Sequence, residues 1–312
     1  MSAALHTAAP SPFAYFASAT LKAFNTNKTS WIGLVVFLIV VVAAILAPVL
    51  APFDPNDQNI LEKLRAPTLE HWLGTDSFGR DVFSRLVFGG RVSLGLAMAA
   101  ALGALLVGAT LGGIAGYAGG TLDDVLMRAA DFVMVLPAMY VALALRAVLP
   151  LVLPAHIVFI LLASIFAIVG APFIARGVRA IVRSERRLDY AVAAQSLGAS
   201  AWRVLTRHLL PAARGFIVVE ITMLVPAFII AEATLSFVGL GFPDPTASWG
   251  TMLHDASSVR AFADFPWLLS PAAAIFLVVL GLNLVFQPSG VGVVYNESDE
   301  TGRRLRTDSH AI

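Results

Sequence analysis

Six stretches of this chain, each about twenty residues or longer, are strongly apolar and sparse in charge, and they limit its possible folds more than any other feature. They run from Trp31 to Leu50, Val92 to Tyr117, Val125 to Leu149, His156 to Ala175, Phe216 to Leu240 and Pro266 to Phe286. A hydrocarbon layer about 30 Å thick needs roughly 20 apolar residues of helix, because every backbone N–H and C=O must be satisfied within the segment. Only 13% of the 312 residues are charged, against 58% hydrophobic, whereas a soluble domain carries about 25% charge. The pattern predicts an all-α polytopic membrane protein with six transmembrane helices. Residues 1–30 read as a cytoplasmic N-terminal segment, 31–287 as the transmembrane domain, and the polar, Gly- and Ser-containing stretch 288–312 as a disordered cytoplasmic tail. The first run is too long for the apolar core of a signal peptide, roughly 7 to 15 residues, so it reads as an uncleaved span.

Charge sets the orientation. Between the fourth and fifth runs lie Arg176, Arg179, Arg183, Arg186, Arg187, Arg203, Arg207 and Arg214 against Glu185 and Asp189. Between the fifth and sixth, Arg260 faces Asp244, Asp255 and Asp264. Positive loops stay in the cytoplasm, so both termini are predicted inside and residues 51–90 outside. The near-balanced total, 21 basic against 20 acidic residues, gives no reason to expect a nucleic-acid partner; membrane lipid is the expected surrounding.

The residues offer no reaction centre. "GTDSFGRD", Gly74 to Asp81, has the glycine spacing of a phosphate loop, but Arg80 and Asp81 follow Gly79 where Lys and Ser/Thr are required. The six histidines include no pair at i, i+4 that could hold zinc, there is no cysteine, and no G-x-S-x-G elbow occurs. Enzymatic activity, a metal and a cofactor are therefore not expected.

One segment is too long for a connector. "LDYAVAAQSLGASAWRVLTRHLLP", Leu188 to Pro211, predicts two short helices, Asp189–Leu197 and Ala201–Leu210, turning at Gly198 with a positive φ, with Ser200 capping the second helix and Pro211 ending it. Trp202, Leu205 and Leu209 are expected on one face, with Arg203 and Arg207 as a positive stripe beside them. Such a helix could dock on a partner or lie on anionic headgroups. Glu220 and Glu232, inside the fifth run, are costly in lipid and read either as pathway or gate residues or as packing groups bonded to neighbouring helices. Gly103, Gly108 and Gly112 suit close helix packing.

At these residues the chain resembles a known family. "AVAAQSLGASAWRVLTRHLLP" is similar to the cytoplasmic EAA loop of binding-protein-dependent ABC importer permeases. Ala193 and Ala194 match its alanines, Gly198 its glycine, and Leu210 and Pro211 its closing pair, while Val192 replaces its Glu and His208 a hydrophobic residue. "LGTDSFGRDVFSRLVFGGRVSLGLA", "LMRAADFVMVLP" and "AEATLSFVGLGFPDPTASWGTML" resemble the second-subunit type of the dipeptide, oligopeptide and nickel branch, and the likeness covers most of residues 31–287. After "AIFLVVLGLNL" the tail departs from that branch.

The resemblance implies a multi-pass inner-membrane permease forming half of a translocation pathway for peptides or related small solutes. It further implies a second permease subunit in a heterodimer, separate ATP-binding subunits and an external solute-binding protein. Residues 188–211, with Ala193, Ala194, Gly198, Trp202, Arg203, Leu205, Leu210 and Pro211, would be the loop that couples to the ATPase. A stand-alone secondary transporter or channel, the alternative, predicts an internal repeat and paired broken helices around midplane charges; the halves of this chain show no such repeat.

Overall fold

The computed structural model describes residues 28–136, 138–148, 153–257 and 263–285. The N-terminal segment to residue 27 and the predicted tail 288–312 lie outside the described residues. Every extended element among them is helical, and the single β-type contact is an isolated bridge between Thr75 and Asp81. Among the described residues four helices are long and apolar enough to cross a membrane: Val82–Ala118, Ala155–Glu185, Ala201–Phe237 and Pro266–Val285; Thr29–Ile45 is a shorter apolar helix.

In chain order, α1 is Lys28–Ile45, α2 the single turn Ala47–Leu50, α3 Val82–Ala118, α4 Gly120–Val135, α5 Ala138–Val148 and α6 Ala155–Glu185. Then come α7 (Asp189–Ser196), α8 (Ala201–Val204), α9 (Arg214–Phe237), α10 (Trp249–Asp255) and α11 (Ser270–Val285).

Two of the predicted runs are interrupted. The first ends as a regular helix at Ile45 and resumes for one turn carrying Pro48, whose missing N–H is tolerated only near a helix start. The third is divided into α4 and α5, with Leu136 extended at ψ 130°. Leu136 precedes Pro137, and the residue before a proline is pushed out of the α region by the ring.

The centre of the bundle is α3 against α6, side by side and running in the same direction. Small residues permit the approach. A Cβ built on Gly103 would lie 2.8 Å from the Ala167 Cβ, one on Gly108 2.5 Å from the Ala171 carbonyl oxygen, and one on Gly116 2.7 Å from the Arg179 carbonyl oxygen. Gly112 meets the Ala175 backbone in the same way. Gly108, Gly112 and Gly116 repeat every four residues and form one stripe along α3, so the two backbones nearly touch, as expected where helices associate in lipid by packing alone. On the other side α1 packs on α11, with Gly33 against Gly281. Phe166 of α6 stacks on Phe228 of α9 at 5.5 Å. Outward-facing apolar side chains, among them Leu106, Ile160, Met223 and Phe276, remain exposed, as lipid-facing or partner-facing positions would be.

The helix directions give the bundle two dissimilar ends. One gathers the segments 51–81 and 241–257; the other gathers the arginines at the end of α6 and the start of α7.

Candidate functional site

At the arginine-rich end Asp123, on the first turn of α4, is almost fully buried and accepts from Arg179 Nε at 2.5 Å and Nη2 at 2.6 Å, with Arg183 Nη1 at 3.3 Å. The Arg179 hydrogen bonds outweigh the effect of burial and hold the Asp123 carboxyl below the usual carboxylate range. A depressed carboxylate contributes stability above its unfolded pKa and loses it as pH falls through the folded one. Asp123→Asn is expected to cost about 1 to 2 kcal/mol at neutral pH, modest because the arginines reach solvent. It should also flatten the loss of thermal stability expected of the native protein as pH falls below about 4. Melting curves of both proteins across that range check this. Arg186 closes the same end by donating to the Tyr117 carbonyl and lying 4.7 Å over the Tyr117 ring.

Beyond these arginines the chain makes an elbow. Helix α7 ends with Gly198 N–H donating to the Gln195 carbonyl and Ala199 N–H to that of Ala194, and Gly198 has φ +83°, the positive value predicted. Ser200 caps the next turn by accepting from the Arg203 N–H. Beyond this point the structure corrects the sequence reading. Pro211 does not end a helix: a π turn, Leu205–Leu209, and a 3-10 turn, Leu210–Ala213, carry the chain without a break into α9. The proline sits in the first turn of the 3-10 piece, where no N–H is required of it, and the wider turn before it makes room for its ring.

The same turns alter the faces. Leu205 and Leu209 are buried in the bundle, whereas Trp202, expected beside them, is 70% exposed. Arg203 and Ala193 are exposed, and Ala194, Leu210 and Pro211 half-buried. The outward surface of the elbow is apolar: Leu188, Tyr190, Val192, Leu197 and Trp202 all stand in the open, Leu197 at 88%.

Glu220 and Glu232 lie on α9, twelve residues and so about 18 Å apart, in unlike surroundings. Glu220 is half-buried on the wall of a groove of about 440 Å³ between α6 and α9, with Phe166, Phe173, Met223 and Phe228 around it. Among the described residues it has no hydrogen bond or ion pair. Glu232 is fully buried and accepts from Ser93 Oγ at 2.7 Å, Ser236 Oγ at 2.7 Å and Ser248 Oγ at 2.8 Å. Ser93 Oγ in turn accepts the Trp249 N–H, and Ser248 Oγ the Thr251 N–H. The carboxylate thereby joins α3, α9 and α10.

The opposite end holds an ionic clasp that the sequence reading missed. Arg80, fully buried, donates from Nε to Asp76 at 2.6 Å, from Nη1 to Asp244 at 3.0 Å and from Nη2 to Asp255 at 2.7 Å. Arg85 stands 3.6 Å from both Asp76 and Asp255. Burial opposes the charge on Arg80, but the three carboxylates outweigh it and hold the proton more firmly than in a free arginine. Asp81 caps α3 by accepting from the Ser84 N–H and bonds His71 through its other oxygen. "GTDSFGRD", dismissed as a phosphate loop, thus supplies both a helix cap and the hub that binds 51–81 to 241–257. A dense Asp/Arg motif and a second acidic loop, both predicted on one side of the membrane, were the available signal.

Residues 87–287 match the family described as binding-protein-dependent transport system inner membrane component, and residues 16–67 match the N-terminal transmembrane domain of oligopeptide transport permease C. The oligopeptide transport system permease protein OppC of Bacillus subtilis (strain 168) is 38% identical over 263 residues, 84% of each chain. The dipeptide transport system permease protein DppC of Alkalihalophilus pseudofirmus is 37% identical over 265 residues, 85% of this chain and 84% of the relative. The B. subtilis DppC is 35% identical over 264 residues, 85% and 81%. The long apolar helices are those of a permease. The chain belongs to the binding-protein-dependent transport system inner membrane components, as a multi-pass permease subunit.

Proposed function

We propose that this chain forms half of the translocation pathway of a peptide-importing ABC transporter and is driven by a separate ATPase subunit at the α7–α8 elbow. The observation that carries the reading is the elbow itself. It presents exposed Tyr190, Val192, Leu197 and Trp202 with exposed Arg203 alongside, and it runs without a break into the helix that carries Glu220 and Glu232. A push on the elbow therefore moves the membrane-spanning helix as one rod, the kind of rigid-body switch that alternating access needs. Peptides are the cargo by analogy with the relatives OppC and DppC, permeases of oligopeptide and dipeptide transport systems. A second permease subunit, ATP-binding subunits and an external solute-binding protein complete the assembly.

In this reading six segments cross the membrane: α1, α3, α4 with α5, α6, α9 and α11. The arginine-rich end and both termini face the cytoplasm, and the Arg80 clasp faces outward. Glu220 lines the pathway groove. Glu232 is the gate-side residue that keeps α9 registered on α3 and α10.

Gly198→Val tests the coupling. A Cβ there meets nothing within 4 Å, so its cost inside the chain is only the strain of a positive φ, about 1 to 2 kcal/mol. Since 1.4 kcal/mol is tenfold in an equilibrium, stimulation of the assembled ATPase by loaded binding protein should fall about tenfold, with insertion and assembly unchanged. Stimulation equal to the native complex at matched assembled protein removes the elbow from the coupling path.

A further inference from the structure

A cation stands alone on the outer surface of the bundle. Arg91 lies on α3 ten residues after the Asp81 cap, is exposed, and among the described residues has no hydrogen bond or ion pair; its guanidinium lies 5.8 Å from the centre of the Phe88 ring. Its height in the bundle is fixed by the residue before it: a Cβ on Gly90 would lie 3.2 Å from the Ala44 Cβ, one residue from the end of α1. Arg91 also immediately precedes the apolar run that begins at Val92, a position from which a guanidinium on a flexible stem reaches the headgroup zone.

Directly below it, α1 and α3 part to leave a groove of about 320 Å³, walled by Phe37, Val41, Ile45, Leu94 and Met98. From Ile45 to Phe37 the groove follows eight residues of α1, about 12 Å along the axis. Arg91 is the one charged residue on its wall. A single cation at the rim of an apolar slot perpendicular to the membrane is complementary to an amphipathic anion: phosphate at the top, hydrocarbon beneath.

We infer that the α1–α3 groove is a binding site for a phospholipid, with the headgroup phosphate on Arg91 and part of one acyl chain between Phe37, Val41 and Met98. The guanidinium offers paired N–H donors to two phosphate oxygens. The slot takes the upper part of a chain, and because that chain comes from the bilayer and not from water, its burial adds little free energy. Selectivity therefore rests on the net negative headgroup charge facing Arg91, which phosphatidylglycerol carries and zwitterionic phosphatidylcholine does not, and on the fit of the slot, and a lipid so held fills the gap between α1 and α3.

The test uses the protein purified from its own membrane with the subunits that accompany it, and phosphatidylglycerol titrated against a phosphatidylcholine background. Native mass spectrometry counts the retained lipid. The native protein should hold one more tightly bound phosphatidylglycerol than Arg91→Gln, whose apparent Kd should rise about tenfold, and Arg91→Lys should keep most of the binding. Met98→Trp, which narrows the slot but leaves Arg91 in place, should also release the lipid. Inorganic phosphate at millimolar concentration should not displace it. Equal retention by the native protein, Arg91→Gln and Met98→Trp overturns the proposal. Displacement by inorganic phosphate alone, or loss with Arg91→Gln but not with Met98→Trp, also overturns it, because either outcome leaves the groove without a role.

Discussion

Replacing Arg80 by alanine is expected to destabilise the clasp end by about 3 kcal/mol, near the lower bound for breaking a buried ion pair. The reason is the imbalance it leaves. Asp76 and Asp255 would stay in an interior without the guanidinium that each now bonds at 2.6 and 2.7 Å. Arg85, at 3.6 Å from both, neutralises part of the charge but does not replace those bonds. Burial already pushes the Asp255 carboxyl above its ordinary range despite both arginines, so with Arg80 gone it should take up a proton more readily still. Arg80→Lys should recover little, since one ammonium cannot reach the three carboxylates that a planar guanidinium spans. Thermal unfolding of the purified protein reads the loss. A melting temperature unchanged in Arg80→Ala would mean that the loops are held by their apolar contacts alone.

The second large effect is expected at Gly112. Its absent side chain lets α3 rest on the Ala175 backbone; a Cβ would lie 2.9 Å from the Ala175 Cα and closer still to its carbonyl oxygen. Backbone cannot rotate aside as a side chain can. Gly112→Leu must therefore pry the two helices apart, and the neighbouring contacts at Gly108 and Gly116 loosen with it. A cost of about 3 kcal/mol or more, the upper end for overpacking, is expected, seen as poor recovery of folded protein from the membrane. Gly95→Ala is the control: on the same helix its Cβ meets only Phe159, at 3.9 Å, and it should be neutral to slightly stabilising because alanine is the better helix former. Equal yields from both variants would show that the α3–α6 contact is not what holds the bundle.

The contrast between these sites explains what could be read in advance. The close packing at Gly103, Gly108 and Gly112 was legible because small residues spaced along an apolar run let helices approach, whereas Gly116, the next contact on the stripe, was not singled out. The apolar runs were legible because lipid forces each segment to satisfy its backbone locally. Pro137 lay in plain view within the third run, and its effect on Leu136 is a nearest-neighbour rule that a hydropathy window averages away. Pro211 misled in the opposite direction, since the π turn that accommodates it has no signature in any single residue. The clasp was illegible for another reason: Arg80 meets Asp244 and Asp255 across 164 and 175 residues of chain, and a single sequence read by itself carries no record of that pairing. For the elbow, the positive φ at Gly198 was readable from the glycine alone. The inward turn of Leu205 away from Trp202 depended on the wider turn that follows.

That wider turn also sets a rotation. Each residue of a helix advances the side chains by about 100°, so the π turn at Leu205–Leu209 fixes the angle at which Trp202 points relative to Glu220 farther along the rod. Deleting one residue from the regular α-helical turns between Arg214 and Glu220 would shorten the rod by only about 1.5 Å but would swing the whole elbow about 100° around the axis of α9. The length of this segment is therefore governed by phase and not by reach, and substitutions within it are far better tolerated than the loss or gain of a single residue.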